Sequence, residues 1–206
     1  MSWAIEYKRY KSLVNKLLSI NSELEFVQEV IVEYNEPFVE SRETYIQSNK
    51  INRQALQFPE EQSIPEPQAV TPSDNTIHEV APEKSKKEHK PFMGLYKLIA
   101  KKIHPDKFQN DPDKEKVAKM TALFKDAGTA ISEGNWARLL EICRDLNIKP
   151  LNLKHLNRQI EIEIGKLKDR LQIEKNKYGW EYYKCEEDQA CKDRLLRRYV
   201  KQFTDK

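Results

Sequence analysis

Residues 10–38 read YKSLVNKLLSINSELEFVQEVIVEYNEPF. Within them Tyr10, Leu13, Leu17, Ile20, Leu24, Val27, Ile31, Tyr34 and Phe38 recur at alternating spacings of three and four. That repeat lays one apolar seam along a helix for about four heptads, the pattern of a coiled coil. No glycine or proline interrupts residues 1–36. Pro37 is expected to end the helix, kink it, or start a second one through about residue 54. At about 1.5 Å per residue, residues 3–35 span about 50 Å. A helix of that length cannot bury its seam against itself. It needs a partner helix, from this chain or from a second copy.

The composition around this seam is polar. The 206 residues are 38% hydrophobic and 33% charged, with a mean hydropathy of −0.82. A large compact core is not expected, and much of the chain should be exposed helix or linker. Five glycines argue against phosphate-cradling loops and against a turn-rich all-β fold. No apolar run approaches the ~18 residues of a membrane span, and MSWAIEYKRYK lacks the apolar stretch of a signal peptide. Cys143, Cys185 and Cys191 are too few and too irregular for a disulfide framework, so reduced thiols and a cytoplasmic address are expected.

Residues 55–91 hold Pro59, Pro65, Pro67, Pro72, Pro82 and Pro91, six of the ten prolines, and no glycine. With so little apolar surface to offset ordering entropy, they read as a disordered linker. Residues 92–148 read as a compact helical unit. Leu95, Tyr96, Ile99 and Ile103 share one helix face. Asn110 or Asp111 is placed to cap a second helix, with Pro112 in its first turn. Val117, Met120, Phe124, Ala127 and Ile131 then recur at helical spacing until Gly134-Asn135 stops the run. A third helix starts there, with Trp136, Leu139, Leu140 and Cys143 inward. Beyond Pro150, Leu153, Leu156, Ile160, Ile164, Leu167, Leu171 and Tyr178 continue a helical seam. Ile160 to Ile164 also alternate as a strand would, but the longer seam favours helix. Gly179 is expected to end it, before a last helix from Trp180 to Phe203. Seams of similar length at both ends are expected to pair with each other.

The functional signal lies at His104-Pro105-Asp106, after Tyr96-Lys97-Leu98-Ile99-Ala100-Lys101-Lys102-Ile103. This stretch resembles the J domain of DnaJ-type co-chaperones, whose second helix reads Tyr-Lys-Arg-Leu-Ala-x-Lys-Tyr before His-Pro-Asp. Tyr96, Lys97, Ala100 and Lys102 fall in register. Ile99 and Ile103 take the leucine and tyrosine places. Phe124, Ala127 and Ala130-Ile131 match the third-helix seam, with Ile131 where tyrosine is usual. The run Ala130–Leu140, AISEGNWARLL, looks like J-like proteins with an Ala-Tyr-Glu-x-Gly-Asp-Leu ending. The resemblance covers about residues 92–147. It departs at the start, where the proline linker replaces a first J-domain helix.

Pro105 fixes its own φ and donates no amide, so it holds His104 and Asp106 at a corner between two helices. Lys97 and Lys101 lie four apart on one face, with Lys102 and Lys107 nearby. An acidic partner would relieve their mutual repulsion and speed encounter. The resemblance implies docking on the ATPase domain of a seventy-kilodalton heat-shock chaperone. In that role Asp106 is the polar contact, His104 orders the loop, Pro105 sets the geometry, and Lys97, Lys101, Lys102 and Lys107 steer. On residue types alone, the corner also reads as an ordinary interhelical turn, and the lysines as a solvated face.

No catalytic residue, cofactor or metal site is expected. Cys185 and Cys191, six apart with no histidine near, fit zinc spacing poorly. His78 and His89 fall in the linker. Trp180, Tyr182 and Tyr183 beside a basic last helix could stack on nucleic acid, but packing at a coiled-coil end is the favoured reading. The expectation is an all-α protein. A coiled coil over 1–54 and a linker over 55–91 precede a J-domain-like hairpin over 92–148 and a helical region over 149–206. The resemblance implies a non-enzymatic co-chaperone whose arms would bind a client or a second copy, and no membrane contact is expected. A scaffold with a degenerate J-like unit and a nucleic-acid binder using the basic C-terminal half are the rivals.

Overall fold

The computed structural model describes residues 2–52, 56, 90–109 and 111–204. The proline-rich linker read from the sequence, apart from Leu56, Lys90 and Pro91, lies outside the described residues, as does Asn110. Among the described residues the protein is all-α. Helices α1 (Trp3–Ser48) and α2 (Lys90–Ile103) are followed by a 3-10 turn (Pro105–Phe108). Then come α3 (Lys114–Glu133), α4 (Trp136–Asp145), α5 (Leu153–Lys175), α6 (Tyr178–Lys184) and α7 (Gln189–Thr204). No described helix is long and apolar enough to cross a membrane. The described residues fall into two compact units: residues 2–23 with 90–109 and 111–170, and residues 24–52 and 56 with 171–204.

In the first unit, α1 pairs with α5. The Asn157 amide donates to the Glu6 carbonyl (3.1 Å) and to Glu6 Oε2 (2.8 Å), and Arg9 pairs with Glu161 at 2.7 Å. Residue numbers rise together on the two helices, so this pairing is parallel. Tyr10, Val14, Leu17 and Ile20 are buried, with Val14 in the place the heptad reading gave to Leu13. Helices α2, α3 and α4 pack on one another. The buried face of α2 is Phe92, Leu95, Ile99 and Ile103. Phe92 stacks on Trp136 of α4 at 4.6 Å, so α4 covers this end of α2. On α3 only Ala127 and Ala130 are fully buried, and such small side chains let two helices approach closely. The α3 N-cap is Asp113, whose carboxylate accepts the Lys116 amide at 3.0 Å. This corrects the expected cap at Asp111 and moves Pro112 ahead of the helix. Asp111 instead accepts the Asp113 amide and the Lys116 ammonium. Gly134, at φ 68°, closes α3 in the left-handed region as expected, and Asn135 caps α4.

In the second unit, α1 runs on through Pro37 to Ser48, so Pro37 neither ends the helix nor starts a new one. Pro37 faces solvent, where its ring and missing amide disturb no core contact. Phe38 and Ile46 beyond it are buried and hold the helix in register by packing. Phe38 packs with Tyr182, Leu195 and Leu196, and Ile46 with Leu56 and Val200. Ser41 and Tyr182 share a hydroxyl–hydroxyl hydrogen bond of 2.6 Å. Gly179 does not terminate a helix. It sits inside α6, where an added Cβ would come within 3.2 Å of the Ile31 carbonyl oxygen. The expected last helix, Trp180 to Phe203, is two helices. Glu186 takes φ 46° between them, and that turn brings Cys185 and Cys191 to a Cα separation of 5.5 Å, joined as a disulfide. The expectation of reduced thiols at these two positions is thereby corrected, while Cys143 is free and buried.

Candidate functional site

Helices α2 and α3 lie antiparallel. Going along α2 from Tyr96 to His104, the facing residues of α3 fall from Gly128, 4.0 Å from the Tyr96 hydroxyl once a Cβ is built there, to Phe124. Between the helices stands the corner His104-Pro105-Asp106. The His104 amide makes the last helical bond, to the Ala100 carbonyl, at 2.9 Å. Pro105 then opens the 3-10 turn, in which the Lys107 amide bonds the His104 carbonyl at 3.0 Å. His104 itself has φ −55° and ψ 132°, the extended conformation that a following proline imposes.

Both polar side chains of the corner face solvent, His104 at 47% and Asp106 at 71% side-chain exposure. They also engage one another. His104 Nδ1 lies 3.2 Å from Asp106 Oδ2 and 3.4 Å from the Asp106 amide nitrogen. A bare Nδ1 accepts from that amide, whereas a protonated Nδ1 donates to the carboxylate. The imidazole stands edge-on to Phe124, with centroids 5.3 Å apart. The Gln109 amide reaches Asp106 Oδ1 at 3.4 Å. Each carboxylate oxygen thus has one neighbour within the corner, on a side chain that remains 71% exposed.

The four lysines divide into distinct roles. Lys97 and Lys101 are exposed on the outer face of α2, and neither ammonium has a partner among the described residues. Lys107 bonds the Lys101 carbonyl at 2.5 Å, capping the C-terminus of α2, where cations are favoured. Lys102 lies about 100° round the helix from Lys101, and its ammonium bonds the Leu146 carbonyl. It ties α2 to the end of α4.

Residues to which the sequence reading gave no role at the site hold this frame. Phe124 supports the imidazole. Arg138 of α4 bonds Asp126 of α3 through Nε (2.8 Å) and Nη2 (2.5 Å), and Glu141 through Nη1 (2.5 Å). Those carboxylates hold the guanidinium above its ordinary pKa. Cys143, on the apolar side of α4, has its thiol pushed up to about 12 by burial. Tyr10 beside it is raised too, first by burial and then by the thiol. No group of three His, Cys, Asp or Glu side chains suited to a metal ion occurs among the described residues.

In the other unit Tyr182 is buried in a core cluster. Trp180 and Tyr183 are half-buried, and both meet Phe26 edge-on, at 6.1 and 6.4 Å. These rings pack against α1. In comparisons with known proteins, no family model matches the chain, and neither a curated protein nor a solved structure matches it.

Proposed function

We propose that residues 92–148 act as a J-domain-like docking module. It would engage a seventy-kilodalton heat-shock chaperone and stimulate its ATPase, with the chain itself not an enzyme. The observation that carries this reading is the exposed, proline-stiffened corner between two antiparallel helices, with Asp106 71% exposed and the ammonium groups of Lys97 and Lys101, on exposed positions of α2, without a partner among the described residues. Such a corner offers a carboxylate to a partner cation at a defined place, and the lysines attract an acidic surface. The missing first J-domain helix is no obstacle to this reading. The apolar face of α2 is already covered, with Phe92 on Trp136. Asp106 is the polar contact, His104 and Pro105 shape the loop, and Lys97 and Lys101 steer. Lys102 and Lys107 act by holding α2. A client bound elsewhere on the chain belongs to the same reading.

Binding to an ATP-loaded heat-shock chaperone tests it. Affinity is expected to fall with added salt and to be lost in Asp106→Asn and His104→Gln, with helicity unchanged. Equal binding by both variants refutes the docking role. Salt-dependent retention on DNA or RNA that both variants preserve would favour the nucleic-acid reading instead.

A further inference from the structure

A groove of about 310 Å³ opens in the first unit between the N-terminal half of α2 and the start of α5. Pro91, Leu95 and Leu98 line it from α2, Pro150 and Leu151 from the preceding loop, and Leu156 from α5. Gly94 also borders it, and a Cβ built there meets nothing within 4 Å among the described residues. Leu151 is 85% exposed. A leucine left this open at the edge of an apolar groove marks surface that association would remove from water.

Among the described residues, Lys90 and His155 are the ionisable groups that line the groove, and no carboxylate does. Lys149 and Lys154, on either side of the Pro150–Asn152 loop, are exposed. Among the described residues the lining carries no phenyl, phenol or indole ring, and the His155 imidazole is its one aromatic surface for a base to stack on. Lys90, Gly94, Lys97 and Lys101 recur at spacings of four, three and four, which puts the groove beside the outward lysine stripe of α2.

We propose that this groove is a docking site for a carboxylate-rich protein segment, which seats a large aliphatic side chain beside Leu98 and Leu151 while its carboxylates meet Lys90 and the flanking lysines. Apolar walls beside Lys90, with exposed Lys149 and Lys154 flanking the loop and no carboxylate in the lining among the described residues, select that chemistry over a basic or uncharged segment. The site does not use the His104–Asp106 corner, and Leu151, His155 and Leu156 lie outside the stretch that resembles a J domain. It therefore stands or falls separately from the proposed function.

Titration of the isotope-labelled full chain with three synthetic peptides, followed by NMR, tests it. Acetyl-EELLDE-amide is expected to shift the Gly94 amide and the Leu151 methyls. Acetyl-EEAADE-amide and acetyl-KKLLKK-amide are expected to bind at least tenfold more weakly. Leu151→Ala, at a position too exposed to unfold the chain, should weaken the first peptide at least tenfold, and Asp106→Asn should leave it unchanged. The proposal is overturned if the basic or the alanine peptide binds as well, or if the shifts fall elsewhere. It is equally overturned if no peptide binds at millimolar concentration, or if the groove signals move with protein concentration alone, which would make a second copy the occupant.

Discussion

The imidazole of His104 meets the phenyl ring of Phe124 edge-on, at 5.3 Å between centroids. This contact ties a solvent-facing corner to α3, so the corner's shape depends on a residue twenty positions away. Edge-to-face pairs contribute about 0.5–1.5 kcal/mol beyond their buried area. Phe124→Leu keeps an apolar side chain but loses the ring. It should lower stability by about 1 kcal/mol in urea denaturation and reduce chaperone stimulation several-fold. Undiminished stimulation would mean that the corner holds its shape without the ring.

The lysines are expected to separate by role. Lys102 bonds a main-chain carbonyl on another helix, and hydrogen bonds from charged groups are worth about 1.5–3 kcal/mol. Lys102→Met should therefore cost about 1–2 kcal/mol, since solvent reaches this exposed side chain. Lys97→Ala and Lys101→Ala should change stability by less than about 0.5 kcal/mol but slow association with an acidic partner at low salt. Urea midpoints and association rates measured on the same three variants check this. Equal stability losses would contradict it.

Two helical glycines should respond with opposite signs. A Cβ at Gly165 meets nothing within 4 Å among the described residues, so Gly165→Ala should stabilise by about 0.5–1 kcal/mol through helix propensity. At Gly179 the Cβ would come 3.2 Å from a backbone oxygen of Ile31, and backbone yields little. Gly179→Ala should cost about 1–3 kcal/mol, as other overpacked sites do. Thermal melts of the two variants show whether α6 lies as close to α1 as described.

Alkaline pH should weaken the first unit. Burial raises the Cys143 thiol to about 12 and raises Tyr10 as well. An acid whose folded pKa lies above its unfolded value contributes stability that is complete below the unfolded pKa, about 8.5 for a thiol. That contribution is lost as pH rises through the folded value. The urea midpoint should fall between pH 8.5 and about 12, and less so in Cys143→Ala. Identical pH profiles for the two proteins would contradict the burial of this thiol.

Much of this architecture was legible in residue spacing, because burial on a helix follows a period of 3.6. The α1 seam, the inward faces of α2 and α4, and the Gly134-Asn135 junction are examples. What escaped depends on contacts between distant residues. Pro37 reads locally as a break, yet Phe38 and Ile46 packed on α6 and α7 carry the helix past it. Gly179 reads as a stop, yet it is the point where two backbones meet. The Cys185–Cys191 bond needs the left-handed turn at Glu186, which nothing in the local pattern requires. At the candidate site, the exposed corner could be foreseen from Pro105. The division of the lysines could not, since it depends on where the Leu146 carbonyl lies.

Single-turnover hydrolysis of ATP by a heat-shock chaperone, with this chain added at saturation, tests the central claim most directly. The wild-type chain is expected to accelerate hydrolysis at least tenfold. Asp106→Asn, with the same helical content and thermal midpoint, should give no acceleration. Acceleration by both proteins alike, or by neither, would contradict the role assigned to the corner.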